Sequence, residues 1–302
     1  MKTITTIFAL IIFSLQINAQ LSTPEPEAVY GGRINAMDAY PISSTTTRLF
    51  ISTESANSIF YADLLSAGSG SPSFSPFNVM PGVGDDDGYG SRIQNIAVHN
   101  GSGYLFFITS DGELAKSSPS SSIVDIISSN HASGLHIFNY SDSLSYIYFT
   151  EDDSLKFGTL DITGSFTEDV ASPLNIGSHF FGNAKIFVSP SNGKVYVAEV
   201  QDTLIVYKSD DVYDSLDAAT TFSVVNTSSL TSTGLFWGAF GFGPDGTMFI
   251  GGDDSMHKTV AYSTDDGTTW NIAATGINGV GGPNFAFPGT GSSYPVYFAK
   301  GY

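Results

Sequence analysis

The sequence has 302 residues and a formal net charge of −18, from 11 Lys and Arg against 29 Asp and Glu, and it lacks cysteine. So acidic a chain repels nucleic-acid phosphates and anionic membrane surfaces, which excludes nucleic-acid binding. The lack of cysteine excludes disulfides, a cysteine nucleophile and a cysteine metal site, so we expect a conventional hydrophobic core.

The first 19 residues have the pattern of a secretory signal peptide. Lys2 is followed by an apolar run over residues 7–15, and Ile17-Asn18-Ala19 forms a cleavage site that would leave Gln20 as the mature N-terminus. The protein is therefore expected to be secreted or held at the cell surface. No later stretch approaches the roughly 18 apolar residues of a membrane helix, so no membrane span is predicted.

One short pattern, an aromatic residue between apolar residues, recurs at intervals of 42 to 56 residues along the chain. Its six copies are Leu49-Phe50-Ile51, Leu105-Phe106-Phe107, Ile147-Tyr148-Phe149, Val195-Tyr196-Val197, Met248-Phe249-Ile250 and Val296-Tyr297-Phe298. Turn signals such as Asn100-Gly101 and Asp245-Gly246 precede several copies, as in β-hairpins. This period is typical of a four-stranded propeller blade.

The predicted fold is therefore an all-β β-propeller of four-stranded antiparallel blades, with six blades favoured and seven as the alternative. We expect the propeller to occupy residues 33–302, with strands A to D in each blade running outward from the axis. Five full blades are predicted at residues 33–80, 92–128, 134–171, 183–226 and 235–274. A sixth blade begins at Pro283 with two strands. Either the segment 20–32 completes the ring, or the chain is part of a longer protein.

The stretch Ser263-Thr264-Asp265-Asp266-Gly267-Thr268-Thr269-Trp270 resembles the Asp-box, or BNR repeat, of sialidases and sortilin-like receptors. The resemblance implies a turn between strands C and D in which Asp265 accepts backbone hydrogen bonds, Gly267 has a positive φ and Trp270 packs on the blade. Ser263 completes the motif, whose role is structural. Ser209-Asp210-Asp211 is interpreted as a degenerate copy with a longer turn.

In a propeller the D-to-A and B-to-C loops share one face, and several acidic, histidine and aromatic residues fall in these loops. The candidate ligand-binding residues are Asp85, Asp87, His131, Glu151, His179, Phe180, Trp237, Asp253 and His257. Such a face could bind Ca²⁺, a basic partner or a sugar stacked on an aromatic ring. No cofactor is predicted, with Ca²⁺ at Asp85 and Asp87 as the alternative, although that loop lacks the spacing of a Ca²⁺ loop.

Three functional hypotheses remain open. The favoured one is a non-catalytic propeller that binds a glycan or an extracellular protein through this face, as a monomer or within a larger assembly. A hydrolase or lyase with paired carboxylates, and an adhesive module of a larger bacterial surface protein, are the alternatives. Sialidase activity is disfavoured because that family draws three arginines from separate blades, whereas Arg33, Arg48 and Arg92 all lie in the first two blades.

Overall fold

The computed structural model describes residues 34–53, 59–65, 73–83, 93, 95–141, 143–176, 184–200, 204–225, 227, 236–253, 257–278, 283–286 and 297–300. This part of the chain consists of strands and turns, and it contains no helix that could cross a membrane. Blade 1 comprises β1 (Ile34–Ser43), β2 (Thr46–Thr53), β3 (Ile59–Leu65), β4 (Ser73–Phe74) and β5 (Asn78–Val79). Blade 2 comprises β6 (Ile96–Val98), β7 (Leu105–Ile108), β8 (Leu114–Ser117) and β9 (Asp125–Ser128).

The next three blades follow the same plan. Blade 3 comprises β10 (Ala132–Asn139), β11 (Leu144–Glu151), β12 (Ser154–Asp161), β13 (Phe166–Glu168) and β14 (Leu174–Asn175). Blade 4 comprises β15 (Ala184–Val188), β16 (Lys194–Val200), β17 (Leu204–Val212) and β18 (Phe222–Val224). Blade 5 comprises β19 (Phe236–Phe242), β20 (Met248–Asp253), β21 (His257–Ser263) and β22 (Asn271–Asn278). A two-stranded sheet of β23 (Pro283–Ala286) and β24 (Tyr297–Lys300) comes last.

Within each blade the first four strands are antiparallel neighbours in chain order, while β5 and β14 pair with the third strands β3 and β12 of their blades. The predicted propeller of four-stranded antiparallel blades is therefore confirmed. Six blades were predicted, and the described part of the chain forms five. Only two strands of the expected sixth blade, β23 and β24, lie in the described part of the chain, and two strands do not form a blade. The N-terminal segment expected to complete the ring lies outside the described residues.

The repeated aromatic pattern marks the second strand of each blade. Alternate side chains of this strand face opposite neighbours. Tyr148 of β11 belongs to the core cluster between blades 3 and 4, whereas Ile147 and Phe149 belong to the cluster between blades 2 and 3. A strand buried on both faces must be apolar throughout, which explains why the pattern is continuous rather than alternating. Four such clusters fill the four interfaces between the five blades.

Candidate functional site

The meander order places the loops on two faces, which we call the B–C face, with the B-to-C and D-to-A loops, and the A–B face, with the A-to-B and C-to-D turns. Backbone hydrogen bonds join neighbouring loops on the B–C face. The amide of Ala132 donates to the carbonyl of Gly112 at 2.7 Å, and the amide of Asp152 donates to the carbonyl of His131 at 3.3 Å. These bonds connect the B-to-C turns of blades 2 and 3 through the segment between those blades.

Of the two candidate ligand-binding residues whose side chains the structure describes, His131 is the more exposed. Its side chain is 87% exposed, and its Nδ1 lies 3.9 Å from Oδ1 of Asp152, which is 70% exposed. Asp111, in the neighbouring turn, is exposed as well. At such exposure, the attraction between histidine and aspartate contributes little to stability, so both groups remain free to meet a ligand.

Glu151 lies at the same end of blade 3, but its side chain is buried between blades rather than offered to solvent. Ser128 Oγ of blade 2 donates to its Oε1 at 2.5 Å, and Lys156 Nζ lies 3.5 Å from its Oε2. Lys156 also pairs with Glu168 at 3.0 Å. Burial opposes the charge of Lys156, but the hydrogen bond to Glu168 and the charge of Glu151 outweigh it and raise the lysine pKa above its ordinary value. Glu151 therefore connects two blades.

The structure places three further candidates by backbone alone and does not describe the remaining four. Trp237, Asp253 and His257 lie in β19, β20 and β21, near the end of blade 5 that borders the B–C face, where Phe236 pairs with Asp253 and Asp253 pairs with Lys258. Asp85, Asp87, His179 and Phe180, which include both predicted Ca²⁺ ligands, lie outside the described residues. Among the residues that are described, no three acidic, histidine or cysteine side chains form a group suited to a metal ion.

The turn between β21 and β22 on the A–B face has the geometry that the Asp-box motif implies. Asp265 Oδ1 accepts the amide of Thr269 at 2.8 Å, and Oδ2 accepts its hydroxyl at 2.6 Å. Ser263 Oγ accepts the amide of Gly267 at 2.9 Å, and Gly267 has φ of +81°. Trp270 packs against the core cluster between blades 4 and 5. The hydrogen bonds to Thr269 and Ser263 lower the pKa of Asp265.

Blade 4 contains the predicted degenerate copy of this turn. Asp210 accepts the amide and the hydroxyl of Thr221, at 2.8 and 2.7 Å, just as Asp265 accepts those of Thr269. The donor is 11 residues away here instead of four, because the turn is longer. The same pair of bonds therefore closes both C-to-D turns.

Asp266, a variable position of the motif, connects blade 5 to blade 4. It has φ of +60°, and its carboxylate accepts hydrogen bonds from Lys208 Nζ at 2.8 Å, from Asn192 Nδ2 at 3.0 Å and from the Tyr196 hydroxyl. Burial raises the pKa of Asp266, but the hydrogen bonds from Lys208 and Tyr196 outweigh it, so the pKa lies below its usual value. Nothing in the motif itself indicates this interaction.

Strand A of each blade borders the axis, where the structure places polar groups that the sequence analysis did not single out. Lys185 Nζ donates to Asn95 Oδ1 at 3.0 Å, and Asn95 Nδ2 donates to the carbonyl of Ser133 at 2.8 Å, so this contact joins three blades. Burial lowers the pKa of Lys185 to about 8. The available signal was a lysine inside the apolar strand Ala184–Val188.

His136 lies on β10 beside Phe187, with ring centroids 6.2 Å apart. Its Nε2 is buried without a hydrogen-bond partner among the described groups, and burial lowers the pKa of the ring to about 4. The ring is therefore neutral at physiological pH.

No protein-family model matches the chain, and no curated protein matches it. The fold is similar to a functionally unknown protein from Desulfotomaculum acetoxidans, at a TM-score of 0.51 and 12% identity over 84% of this chain and 73% of that one. It is also similar to a protein from Lactobacillus plantarum, at a TM-score of 0.47 and 14% identity over 79% of this chain and 70% of that one. The comparison with the GH74 enzyme of Niastella koreensis gives a TM-score of 0.48 and 14% identity over 80% of this chain and 37% of that one. At such identities the likeness shows the fold alone.

Proposed function

We propose that this protein is a secreted, non-catalytic β-propeller that binds a glycan or an extracellular protein through its B–C face. The observation that carries the proposal is the exposed group of Asp111, His131 and Asp152, held on turns that backbone hydrogen bonds join across two blades. Fixed turns position polar groups before a ligand arrives, which lowers the entropic cost of binding.

The ion pairs elsewhere in the molecule support the proposal that this face attracts cationic or hydroxyl-bearing groups. Several cationic side chains are engaged within the molecule: Arg48 with Asp63, Lys116 with the carbonyl of Gly164, Lys156 with Glu151 and Glu168, and Lys208 with Asp266. The surplus of carboxylates is therefore left at the surface, where it favours association with a cationic partner.

The enzyme alternative receives less support. A glycosidase of the common type needs two carboxyl groups that flank the scissile bond and are accessible to it. Glu151, a candidate for such a pair, is 8% exposed and already holds Ser128 and Lys156. Arg48 forms two hydrogen bonds to Asp63, at 2.7 and 2.9 Å, so its guanidinium is committed within blade 1 and does not support a sialidase-type carboxylate site.

Membership of the Asp-box family is part of this proposal, and the contacts within residues 263–270 support it. Export is part of it too, with residues 1–19 as the signal peptide. Mass spectrometry of the protein recovered from a secreting host would then give an N-terminus at Gln20. An intact N-terminus at Met1 would contradict export.

The function is tested with the mature chain from Gln20 on a panel of immobilised glycans and extracellular proteins, with and without Ca²⁺. Retained protein and released sugar are measured in the same wells. We expect retention without release. Release of a sugar would favour the hydrolase alternative, and absence of retention in every well would favour the adhesive-module alternative.

A matched pair of variants then locates the binding surface. Asp152→Asn removes an exposed carboxylate from the B–C face, and asparagine tolerates the positive φ of 50° at this position. Asp125→Asn removes another exposed carboxylate, from β9 on the outer edge of blade 2. Weaker retention of Asp152→Asn than of Asp125→Asn supports the assignment. Equal retention of both variants would exclude the B–C face as the site.

A further inference from the structure

A cluster of three tyrosines lies on the A–B face, where blade 3 meets blade 4. The tyrosine cluster consists of Tyr140 in the A-to-B turn of blade 3, Tyr146 at the start of β11, and Tyr213 in the C-to-D turn of blade 4. Ring centroids are 5.8 Å apart for Tyr140 and Tyr213, 5.1 Å for Tyr146 and Tyr213, and 6.3 Å for Tyr140 and Tyr146. These distances are those of rings in direct contact.

The inner part of the cluster is fixed by hydrogen bonds. The hydroxyl of Tyr148 donates to the carbonyl of Tyr213 at 2.7 Å, and the amide of Tyr213 donates to the carbonyl of Gly193 at 2.8 Å. Phe138 packs under Tyr213 with ring centroids 4.7 Å apart. The outer ring, Tyr140, is 58% exposed and rests on this fixed base. A large ring thus faces solvent in a defined position.

At the other described blade interfaces on this face a tyrosine takes part beside small and polar residues, as Tyr40 does against Gly103 and Tyr196 does with Asp266. Asp266 of blade 5 contacts Asn192 in the A-to-B turn of blade 4, and Gly164 of blade 3 lies against Ser102 in that of blade 2. Elsewhere in the repeat the same contact is therefore made by small and polar residues together with a tyrosine, and not by a cluster of three tyrosine rings. Since joining the blades does not require three tyrosines, the cluster is open to a second role.

The polar groups around the exposed ring are those that recognise sugar hydroxyls. Asp214 follows Tyr213 directly and is exposed, and its charge, after burial, raises the pKa of Tyr146 and Tyr213. Ser141 and Ser143 lie exposed in the turn after Tyr140. The phenols remain protonated donors at neutral pH, while the carboxylate is an acceptor for two hydroxyl groups.

We propose that the tyrosine cluster is a binding platform for a neutral polysaccharide, in which a pyranose ring stacks on Tyr140 and its hydroxyl groups bond to Asp214. A pyranose presents an apolar C–H face with hydroxyls at its edge, which matches a flat ring with polar groups around it. A cationic ligand fits less well, because the rings touch one another and leave no space to surround a charge. This site is independent of the B–C face.

The test is affinity electrophoresis of the mature chain in native gels that contain dextran, laminarin or mannan. We expect at least one of these polymers to retard the protein, and Tyr140→Ala to weaken the association constant about ten-fold or more, which corresponds to about 1.4 kcal/mol of stacking. Tyr140→Phe keeps the ring and should stay within about three-fold. Phe74→Ala removes an aromatic ring that is 53% exposed in blade 1 and should change nothing.

Four outcomes would overturn the proposal. They are no retardation of the wild type by any of the three polymers, equal retardation of Tyr140→Ala, loss of retardation in Asp152→Asn alone, and capture of polylysine that depends on Tyr140. The third would assign the glycan to the B–C face. The fourth would assign the cluster to a basic partner. Thermal unfolding of Tyr140→Ala close to that of wild type shows that a loss of binding is not a loss of fold.

Discussion

Replacing Gly267 by alanine tests whether the turn of residues 263–270 is fitted to the core of blades 4 and 5. Gly267 has φ of +81°, where a side chain costs about 1–2 kcal/mol. A Cβ there would also lie 2.3 Å from Cγ1 of the buried Val225, and such overpacking costs about 1–3 kcal/mol. Alanine also restricts the conformations of the unfolded chain, which stabilises the folded protein by about 0.4–1 kcal/mol. We expect the free energy of unfolding to fall by about 2–4 kcal/mol, measured by urea titration.

Gly193→Ala is the matched control, because Gly193 has a similar φ of +69° but a Cβ there would approach no atom closer than 3.3 Å. It should therefore lose only about 1 kcal/mol from the backbone strain. Adding Val225→Ala to Gly267→Ala removes the clashing methyl group, so the second substitution should cost less in the Gly267→Ala background than alone. Equal losses for the two glycine variants would refute the reasoning, since the clash distinguishes them.

Three other predictions concern titratable groups. Burial raises the pKa of Asp38 to about 6, so stability should fall by up to about 3 kcal/mol as pH rises from 3.8 to 6, and Asp38→Asn should remove this dependence in urea titrations at each pH. The pKa of His136 is lowered to about 4, so stability should fall as pH drops from 6.5 to 4, and His136→Phe should flatten that slope. Asp266→Asn should lower the free energy of unfolding by about 1 kcal/mol at pH 7, because it removes the ion pair with Lys208. Below the lowered pKa of Asp266, the variant and the wild type should be equally stable. A difference in stability that persists at low pH would contradict the role of the ion pair.

The architecture could be predicted because its signal is local and repeated. Each second strand is buried on both faces, so the sequence must show an apolar run around a central aromatic residue such as Tyr148 or Tyr196, whatever the loops do. The turn of residues 263–270 could be predicted for the same reason, since Ser263, Asp265 and Gly267 all act within eight residues. The number of blades could not, because it depends on how the two ends of the chain contribute strands to the ring.

The candidate site was less predictable, since side-chain direction decides its properties. Glu151 and Asp152 are adjacent acidic residues in one turn, yet Glu151 is buried against Ser128 and Lys156 whereas Asp152 is exposed. The tyrosine cluster joins Tyr140 to Tyr213, residues far apart in the sequence, and no short pattern links them. Contacts between blades depend on the relative position of two repeats, which the period of one repeat does not reveal.

Hydrogen-bonded carboxylates and exposed carboxylates act differently in this molecule, and this separates stability from binding. On the A–B face Asp161, Asp210 and Asp265 accept hydrogen bonds from turn residues, which lower their pKa values. These groups stabilise the fold above their ordinary pKa, and the contribution disappears as pH falls through the lowered values. On the B–C face Asp152 is exposed next to His131, so its carboxylate is open to a ligand. Replacement of Asp152 by asparagine should therefore weaken the binding of a cationic partner without unfolding the hydrogen-bonded turns of the A–B face.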